Sequence, residues 1–373
     1  MSYTDNRLDV NKHQVPKRFE MSPLESLGDI SQLRPEVNDT PTKIPAKFLS
    51  SLSTKEPLFA IRKDPVLLFR SFSANSAGVN SPDGFFASDH LRGKRLTTPL
   101  PINSSYLHER LSSHYAGDRL GSPVISTTNS LVWAVHKAIK EHAQINAALR
   151  CSVHISMFDA HSVKSRTYAG HEIYSTLKTI DGLVPPENRR YKSAAEYLIW
   201  SGVPANSIVK TIPMSQLLDL VIECASVDKI LRLHVMASFS RLREARSRFA
   251  SNIIYLDGTT AIGFARILHL LSITPISPTP FIHSATYVLI DGWLIDVQKP
   301  HCIEEAFDIW VFQYYKSSGA QDSIDLSDAK AAFQKGILDG LNWKKSTQNC
   351  VRKLQLSREE QDVNTEETMD VEC

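Results

Sequence analysis

The sequence predicts an α+β fold, with strands and helices mixed in the first half and mainly helices in the second. Between residues 66 and 215, short apolar or alternating runs are separated by turn residues, which is typical of strands. After Ser215 the apolar residues are spaced three and four apart, which is typical of amphipathic helices. We therefore expect a mixed core followed by a mainly helical C-terminal region.

Composition limits the classes of function that the chain can have. The formal net charge is only +2, so no global field attracts nucleic acid or acidic membranes. Five scattered cysteines without a Cys-x-x-Cys pair argue against a disulfide framework and against a zinc site. The sequence has no apolar stretch of about 18 residues and no signal-like apolar region near Met1. We therefore expect an intracellular protein, cytoplasmic or nuclear, that binds no metal and no membrane.

Four segments are predicted along the chain. Residues 1–56 are polar and lack periodicity, so we expect this N-terminal region to be disordered. Residues 57–215 are predicted to form the α+β domain, and residues 216–345 a mainly helical extension. Residues 346–373 are predicted to be an acidic disordered tail, because seven acidic residues and one arginine follow residue 356.

Polar residues stand at the ends of three predicted strands in the α+β domain. The apolar run 66–69 ends in an arginine. The strand near residue 124 leads into Ser-Thr-Thr just before a helix, which Thr128, Asn129 or Ser130 could cap. The strand at 195–200 begins near a glutamate and precedes a predicted turn at 202–204. The polar residues at these ends are Arg70, Ser126, Thr127, Thr128 and Glu196.

Spacing also predicts the remaining elements. Residues 151–157 alternate as in a half-buried strand, and 207–212 form a further strand. A long amphipathic helix is predicted from Leu220 to Val235 and onward to an arginine-rich end. Residues 286–297 fit either a hairpin at Asp291-Gly292 or a helix broken there. Further helices are predicted at 131–139, 261–271, 304–315 and 328–341.

The order Arg, then Ser-Thr-Thr, then Glu resembles the ADP-ribosyltransferases of the Arg–Ser–Glu clade, which includes the enterotoxin-like enzymes. The same framework is similar to that of a group of uncharacterised fungal proteins. The resemblance covers residues 66–215 and implies an ADP-ribosyltransferase-like split β core that uses NAD as substrate. It further implies catalytic roles for Glu196 and Ser126. The implied NAD-binding residues are Arg70, Ser126, Thr127 and Thr128.

The chemistry of NAD cleavage gives a reason for each of these residue types. Breaking the nicotinamide–ribose bond builds positive charge on the ribose, as in glycoside hydrolysis. The Glu196 carboxylate would stabilise that charge, and Ser126 would orient the site by hydrogen bonds. The Arg70 guanidinium would hold the anionic diphosphate, because its planar fork matches phosphate oxygens.

One departure from the family pattern leaves the activity open. Members that modify arginine usually carry Glu or Gln two residues before the catalytic glutamate, and here that residue is Ala194. A different protein acceptor, NAD hydrolysis, or loss of catalysis therefore remain alternatives. In the last case the fold would serve as an inactive protein-interaction module. Taken singly, Arg70 also fits a strand-end salt bridge, Ser126 a helix cap and Glu196 a solvated charge.

Other chemistry has weaker support in the sequence. Neither a Gly-x-Ser-x-Gly elbow, a glycine-rich dinucleotide motif nor a phosphate-binding loop is present. His283 and Asp296 faintly resemble the pair of transglutaminase-like enzymes, with Cys224 as nucleophile, although a mid-helix cysteine is expected to be buried and inert. The arginines from 241 to 248 could bind phosphate, an acidic partner or the acidic tail, or form a solvated helix face.

Overall fold

The computed structural model describes residues 65–91, 98–116, 122–170, 172–173, 195–319 and 324–342. Within these ranges, strands and helices are interspersed up to Pro213 and helices follow. The predicted α+β class with a helical C-terminal region is therefore confirmed. The predicted segments 1–56 and 346–373 lie outside the described residues, as does Ala194.

Antiparallel strands build two sheets in the described part of the chain. The strands are β1 Leu67–Phe72, β2 Val79–Ser81, β3 Gly84–Phe86, β4 Val124–Thr128, β5 His154–Asp159, β6 Thr167–Ala169, β7 Glu196–Trp200, β8 Gly202–Pro204 and β9 Ile208–Pro213. The main sheet has the order β6-β7-β4-β1-β5-β9, and the smaller sheet has the order β2-β3-β8. The strands that contain Glu196, Ser126 and Arg70 are therefore neighbours at the centre of the main sheet.

The two faces of the main sheet are covered differently. Alternate residues of β1 point to opposite faces, so Leu67 and Phe69 pack against the helices, whereas Leu68 and Phe72 pack against the smaller sheet. The ring of Phe85, from the smaller sheet, meets that of Phe72 edge to face with centroids 5.1 Å apart. This sandwich leaves the central strands buried on both sides, which explains their continuous apolar runs.

The predicted turn at residues 202–204 is wrong, because these residues form β8. Gly202 lies opposite Phe86 in the smaller sheet. A Cβ atom at Gly202 would lie 2.7 Å from the Phe85 carbonyl oxygen, so the close strand approach needs glycine here. The strand begins with glycine and ends with proline, which are residue types typical of turns, so the sequence predicts a turn here.

The helices follow the predicted ranges in most of the chain. Ser130 caps α2, because its hydroxyl accepts from the Trp133 N–H at 3.4 Å. The helices are α1 Ser105–Ala116, α2 Leu131–Gln144, α3 Met214–Glu223, α4 Ala225–Leu231, α5 Leu233–Ser238, α6 Leu242–Ser251, α7 Gly258–Leu270, α8 Thr279–Trp293, α9 His301–Ser318 and α10, residues 327–342. Four-residue Ser88–Leu91 is also helical, and 3-10 turns occur at Ala147–Ser152, Lys164–Arg166 and Ala205–Ser207.

The long helix predicted from Leu220 to Val235 is wrong. The same residues form α3, α4 and α5, with breaks at Cys224 and Arg232. Arg232 adopts the left-handed conformation with φ of 48°, which ends α4. The three-and-four spacing persists because all three helices bury one face in the same core, so the spacing alone gives no signal for the breaks.

Tertiary contacts of Arg232 account for the second break. Its guanidinium donates to the carbonyls of Asn252 at 2.7 Å and of Trp293 at 2.8 Å, and it stacks 4.1 Å from the ring centroid of Phe249. The residue is only 6% exposed. Burial lowers the pKa of Arg232 to about 10, so the side chain remains charged at neutral pH. This buried cation therefore links the ends of α6 and α8, and no local sequence pattern predicts that contact.

Two further sequence ambiguities are resolved by packing. The alternating segment 151–157 is a strand only from His154 onward, since the 3-10 turn precedes it. Asp291-Gly292 lies at the end of helix α8 rather than in a hairpin. A Cβ atom at Gly292 would lie 3.1 Å from the Val132 Cβ, so glycine here permits α8 to contact α2 closely.

One hydrophobic cluster joins the main sheet to the C-terminal helices. It contains Phe69 of β1, Val135 of α2, Phe264 of α7, Trp293 of α8 and Phe333 of α10. The hydrophobic core is therefore continuous across the predicted boundary between the α+β domain, residues 57–215, and the helical extension, residues 216–345. None of the described helices combines the length and the apolar character needed to span a bilayer.

Candidate functional site

Ser126 contacts both Arg70 and Glu196 at the centre of the main sheet. The Ser126 hydroxyl donates to Glu196 Oε1 at 2.5 Å, and Arg70 Nη1 donates to the Ser126 carbonyl oxygen at 2.7 Å. These residues are separated by 56 and 70 positions along the chain. The neighbouring positions of β1, β4 and β7 in the sheet bring them together. We call these three residues the central cluster.

The strands β1 and β4 separate beside the central cluster. They pair at one register position, Phe69 opposite Thr128. Beyond it, the guanidinium of Arg70 replaces the backbone ladder by donating to the Ser126 carbonyl. Arg70 Nε also donates to the Asn80 side-chain oxygen at 3.2 Å, which links β1 to the smaller sheet. The opening between two central strands is therefore braced by an arginine rather than closed by backbone pairing.

The charge of Arg70 is only partly used by these contacts. Nε and Nη1 have protein acceptors, whereas Nη2 has none among the described residues. Burial lowers the pKa of Arg70 to about 10, and the nearby Glu141 carboxylate opposes that change. The side chain therefore remains protonated at neutral pH and has donor capacity for an anion.

Glu196 has one satisfied and one unsatisfied carboxylate oxygen. Oε1 accepts from Ser126 and lies 3.3 Å from His114 Nε2, and the side chain is 15% exposed. Oε2 is buried and has no hydrogen-bond partner within the described ranges. A buried polar atom without a partner costs about 1–3 kcal/mol, so Oε2 is suited to receive a hydroxyl from a ligand.

One face of α2 adds a second cation beside the central cluster. The pKa of Lys137 is lowered by burial and by the positive charge of Arg70, while Glu141 and Glu196 oppose this. The Lys137 side chain nevertheless reaches solvent, which is the combination expected of a group that lines a cleft. Its Nζ lies 5.3 Å from the Trp133 ring centroid, and no described carboxylate lies within ion-pair distance of it.

The carboxylate of Glu141 stands close to both cations. It accepts a short hydrogen bond from the Ser73 hydroxyl, which holds it at the end of β1. Its negative charge acts on Arg70 and on Lys137 without a direct ion pair to either. The carboxylates of Glu141 and Glu196 balance the two cations in number, but Arg70 Nη2 and the Lys137 ammonium have no acceptor in the described ranges and can donate to an anionic ligand.

The predicted ligand-binding threonines do not join the central cluster. Thr127 points to the opposite face of the sheet, where its hydroxyl donates to the Tyr197 carbonyl at 2.8 Å. The Thr128 hydroxyl accepts from the Ser130 N–H at 3.1 Å and supports the start of α2. Both side chains are buried. Thr128 lies opposite Glu196 in the strand pairing, but in the described ranges the hydroxyl of the Ser-Thr-Thr run that hydrogen bonds to the Glu196 carboxylate is that of Ser126.

Three residues beside the cluster were not predicted from the sequence: Lys137, Glu141 and His114. Lys137 and Glu141 are four residues apart on the helix that follows Ser-Thr-Thr, so they share one helix face. This spacing could have indicated Lys137 as a further candidate site residue. His114 lies on α1, and its contact with Glu196 depends on how α1 packs against the sheet. No local pattern in the sequence gives that packing.

Residues 63–217 match the model of a family described as a domain of unknown function, DUF7587. The matched segment includes β1 to β9 and therefore every residue of the central cluster. No curated protein sequence and no solved structure matches the chain significantly. The DUF7587 segment also includes α1 and α2, which provide His114 and Lys137.

The other sequence candidates lie in the helical region outside the DUF7587 segment. His283 Nε2 contacts Asp339 at 2.8 Å rather than Asp296, and it links α8 to α10. Cys224 lies at a junction between helices, not mid-helix as predicted, and its thiol contacts the Ser226 hydroxyl. The cysteine–histidine–aspartate arrangement is therefore not supported by these contacts.

The arginines of α6 include one that is already bound. Arg246 contacts Asp291 at 3.4 Å and the Gly292 carbonyl at 3.3 Å, which ties α6 to the end of α8. Among the described residues, no group of three or more His, Cys, Asp or Glu side chains is arranged to hold a metal ion. The central cluster is thus the best-supported candidate site in the described part of the chain.

Proposed function

We propose that the DUF7587 segment binds NAD at the central cluster and cleaves the nicotinamide–ribose bond. ADP-ribose would pass to a protein acceptor or to water. The observation that carries this proposal is the contact of Ser126 with Glu196 beside the opening braced by Arg70. The three residues whose order along the chain resembles the Arg–Ser–Glu clade thus form one cluster in space.

The charges around the opening suit an anionic dinucleotide. Arg70 Nη2 and the Lys137 ammonium would hold the diphosphate, since neither has a protein acceptor in the described ranges. Glu196 Oε2 would accept a hydrogen bond from a ribose hydroxyl, which would satisfy its buried lone pairs. Each charge-assisted hydrogen bond would contribute on the order of 1.5–3 kcal/mol before the cost of ordering the ligand.

The residues of the chain would act on the bond through charge and position. The Glu196 carboxylate would stabilise the positive charge that develops on the ribose. Ser126 would fix the orientation of that carboxylate through its 2.5 Å hydrogen bond. His114 contacts the same oxygen at 3.3 Å and would also hold the carboxylate in place.

The acceptor and the compartment are also part of the proposal. Because Ala194 replaces the Glu or Gln of arginine-modifying members, the acceptor would be a protein group other than arginine, or water. Cys151, Cys224 and Cys302 are free thiols, and Cys151 is exposed. Free thiols are typical of a reducing compartment, so we propose an intracellular location, cytoplasmic or nuclear.

A second function is favoured by a different observation at the same residues. Arg70 donates hydrogen bonds to the Asn80 side chain and to the Ser126 carbonyl, so it already stabilises the fold. An arginine kept for this brace would persist in a protein without catalysis. The alternative proposal is therefore an inactive ADP-ribosyltransferase-like fold that acts as a protein-interaction module.

Two parallel measurements on the full chain separate these proposals. NAD is titrated by calorimetry into the parent, Glu196→Ala and the control Glu304→Ala, an exposed residue of α9. Nicotinamide release is followed in the same samples. Binding by all three proteins with turnover lost only in Glu196→Ala supports the enzyme. No heat and no turnover in the parent at saturating NAD supports the inactive module.

A further inference from the structure

A large groove lies in the helical region, away from the central cluster. Its volume is about 1030 Å³, and none of its lining residues belongs to the central cluster. Its lining residues come mainly from helices α3, α7 and α9, and Lys210 of β9 is also among them. The groove is thus a separate feature that NAD binding would leave unused.

The groove exposes apolar side chains that a folded chain normally covers. Phe312 on α9 is 67% exposed and Ile262 on α7 is 39% exposed, and both line the groove. Trp310 and Ile273 also line the groove and are buried. An apolar trough lined by helices is the shape that receives an amphipathic helix or strand.

Charges on the rim are of both signs. Asp219 and Glu223 stand on α3, whereas Arg266 and Lys316 stand on α7 and α9. Lining residues with positive and negative charges favour an occupant that carries charges of both signs beside an apolar face. Strongly acidic ligands, such as the residues after 356 or nucleic acid, are disfavoured by the α3 carboxylates.

The start of β1 places the preceding chain within reach of the groove. Leu67 lies opposite Asp159, and the next strand across carries Lys210 opposite Met157. With about 4.8 Å between strands and 3.3 Å per residue, Leu67 and Lys210 are roughly 12 Å apart. Residues 44–63 lie just before β1, and an extended chain spans about 3.3 Å per residue, so this segment can reach the groove.

The sequence before β1 has the composition that the groove requires. Residues 44–63 contain apolar side chains at 48, 49 and 52. More follow at 58, 59 and 61. The same stretch carries Lys47, Lys55 and Glu56, which complement a rim of both signs.

We propose that residues 44–63 dock in the groove lined by α3, α7 and α9 and cover Phe312 and Ile262. The occupant is the chain's own N-terminal segment, held by apolar burial with ion pairs at the rim. Docking would link the segment before β1 to the helical region and so fasten the helices to the sheet. This inference is independent of NAD binding.

Hydrogen exchange on the full chain tests this docking. Peptides that cover residues 44–63 should exchange at least about tenfold more slowly than those from residues 1–43, because docking protects their amides. Phe312→Glu should abolish that protection. Ile222→Glu is the matched control, because Ile222 is 66% exposed but does not line the groove. The reciprocal variant Leu52→Glu should also abolish the protection.

Three outcomes would overturn the proposal. The first is exchange of residues 44–63 in the parent as rapid as that of residues 1–43. The second is equal protection in Phe312→Glu and Ile222→Glu, with circular dichroism showing that both variants fold. The third is protection that grows with protein concentration, which would identify a second copy of the chain as the occupant.

Discussion

Replacing Arg70 by lysine tests whether this guanidinium braces the opening between β1 and β4. Lysine keeps the charge but lacks the planar fork that reaches Ser126 and Asn80 together. The variant would lose hydrogen bonds of 2.7 Å and 3.2 Å from a charged donor. Each such bond contributes roughly 1.5–3 kcal/mol, and the half-buried position with partial rescue by the ammonium reduces the sum to about 2 kcal/mol.

Urea unfolding of the full chain, followed by circular dichroism, measures this loss. We expect a lower midpoint with an unchanged slope, since the surface exposed on unfolding does not change. Arg248→Lys is the control, because that side chain is exposed on α6. If Arg70→Lys were as stable as Arg248→Lys, the guanidinium would not hold the strands and the proposed brace would be wrong.

Three further changes have defined outcomes. Lys137→Ala should weaken NAD binding by about tenfold in calorimetry, whereas Lys140→Ala on the same helix should not, because a lost charge-assisted contact contributes about 1.4 kcal/mol or more. Arg232→Met should lower the free energy of unfolding by about 3 kcal/mol in urea titrations, because two buried carbonyls lose their donor; wild-type stability would contradict this. Burial lowers the pKa of His136 below its usual value of 6.5. The unfolded state therefore binds more protons below that pH, so stability should fall as pH drops below about 6.5, and less so in His136→Gln.

The sequence predicts those parts of the fold that depend on local patterns. Alternating or continuous apolar runs correspond to β1, β4, β7 and β9, and the cap at Ser130 is set by side-chain chemistry within three residues. The order Arg70, Ser126, Glu196 also gives the cluster, because each residue lies at a definable place on a strand. Neighbouring strand positions then fix their contact.

Features that depend on tertiary contacts could not be predicted. The break at Arg232 follows from carbonyls 20 and 61 positions away. The contact of His114 with Glu196 spans 82 positions and depends on helix packing. At Gly202 the sequence predicts a turn, but the residue lies in a strand. Glycine is needed there because the Phe85 carbonyl approaches closely.

The most direct test of the central claim is the rate of nicotinamide release from NAD by the full chain and by Glu196→Gln. Glutamine keeps the size of the side chain and can still contact Ser126, but it has no negative charge to place beside the ribose. We predict measurable release by the parent and a loss of at least about a hundredfold in the variant, as for removal of a transition-state electrostatic contact. Equal rates, or no NAD binding by the parent, would contradict it.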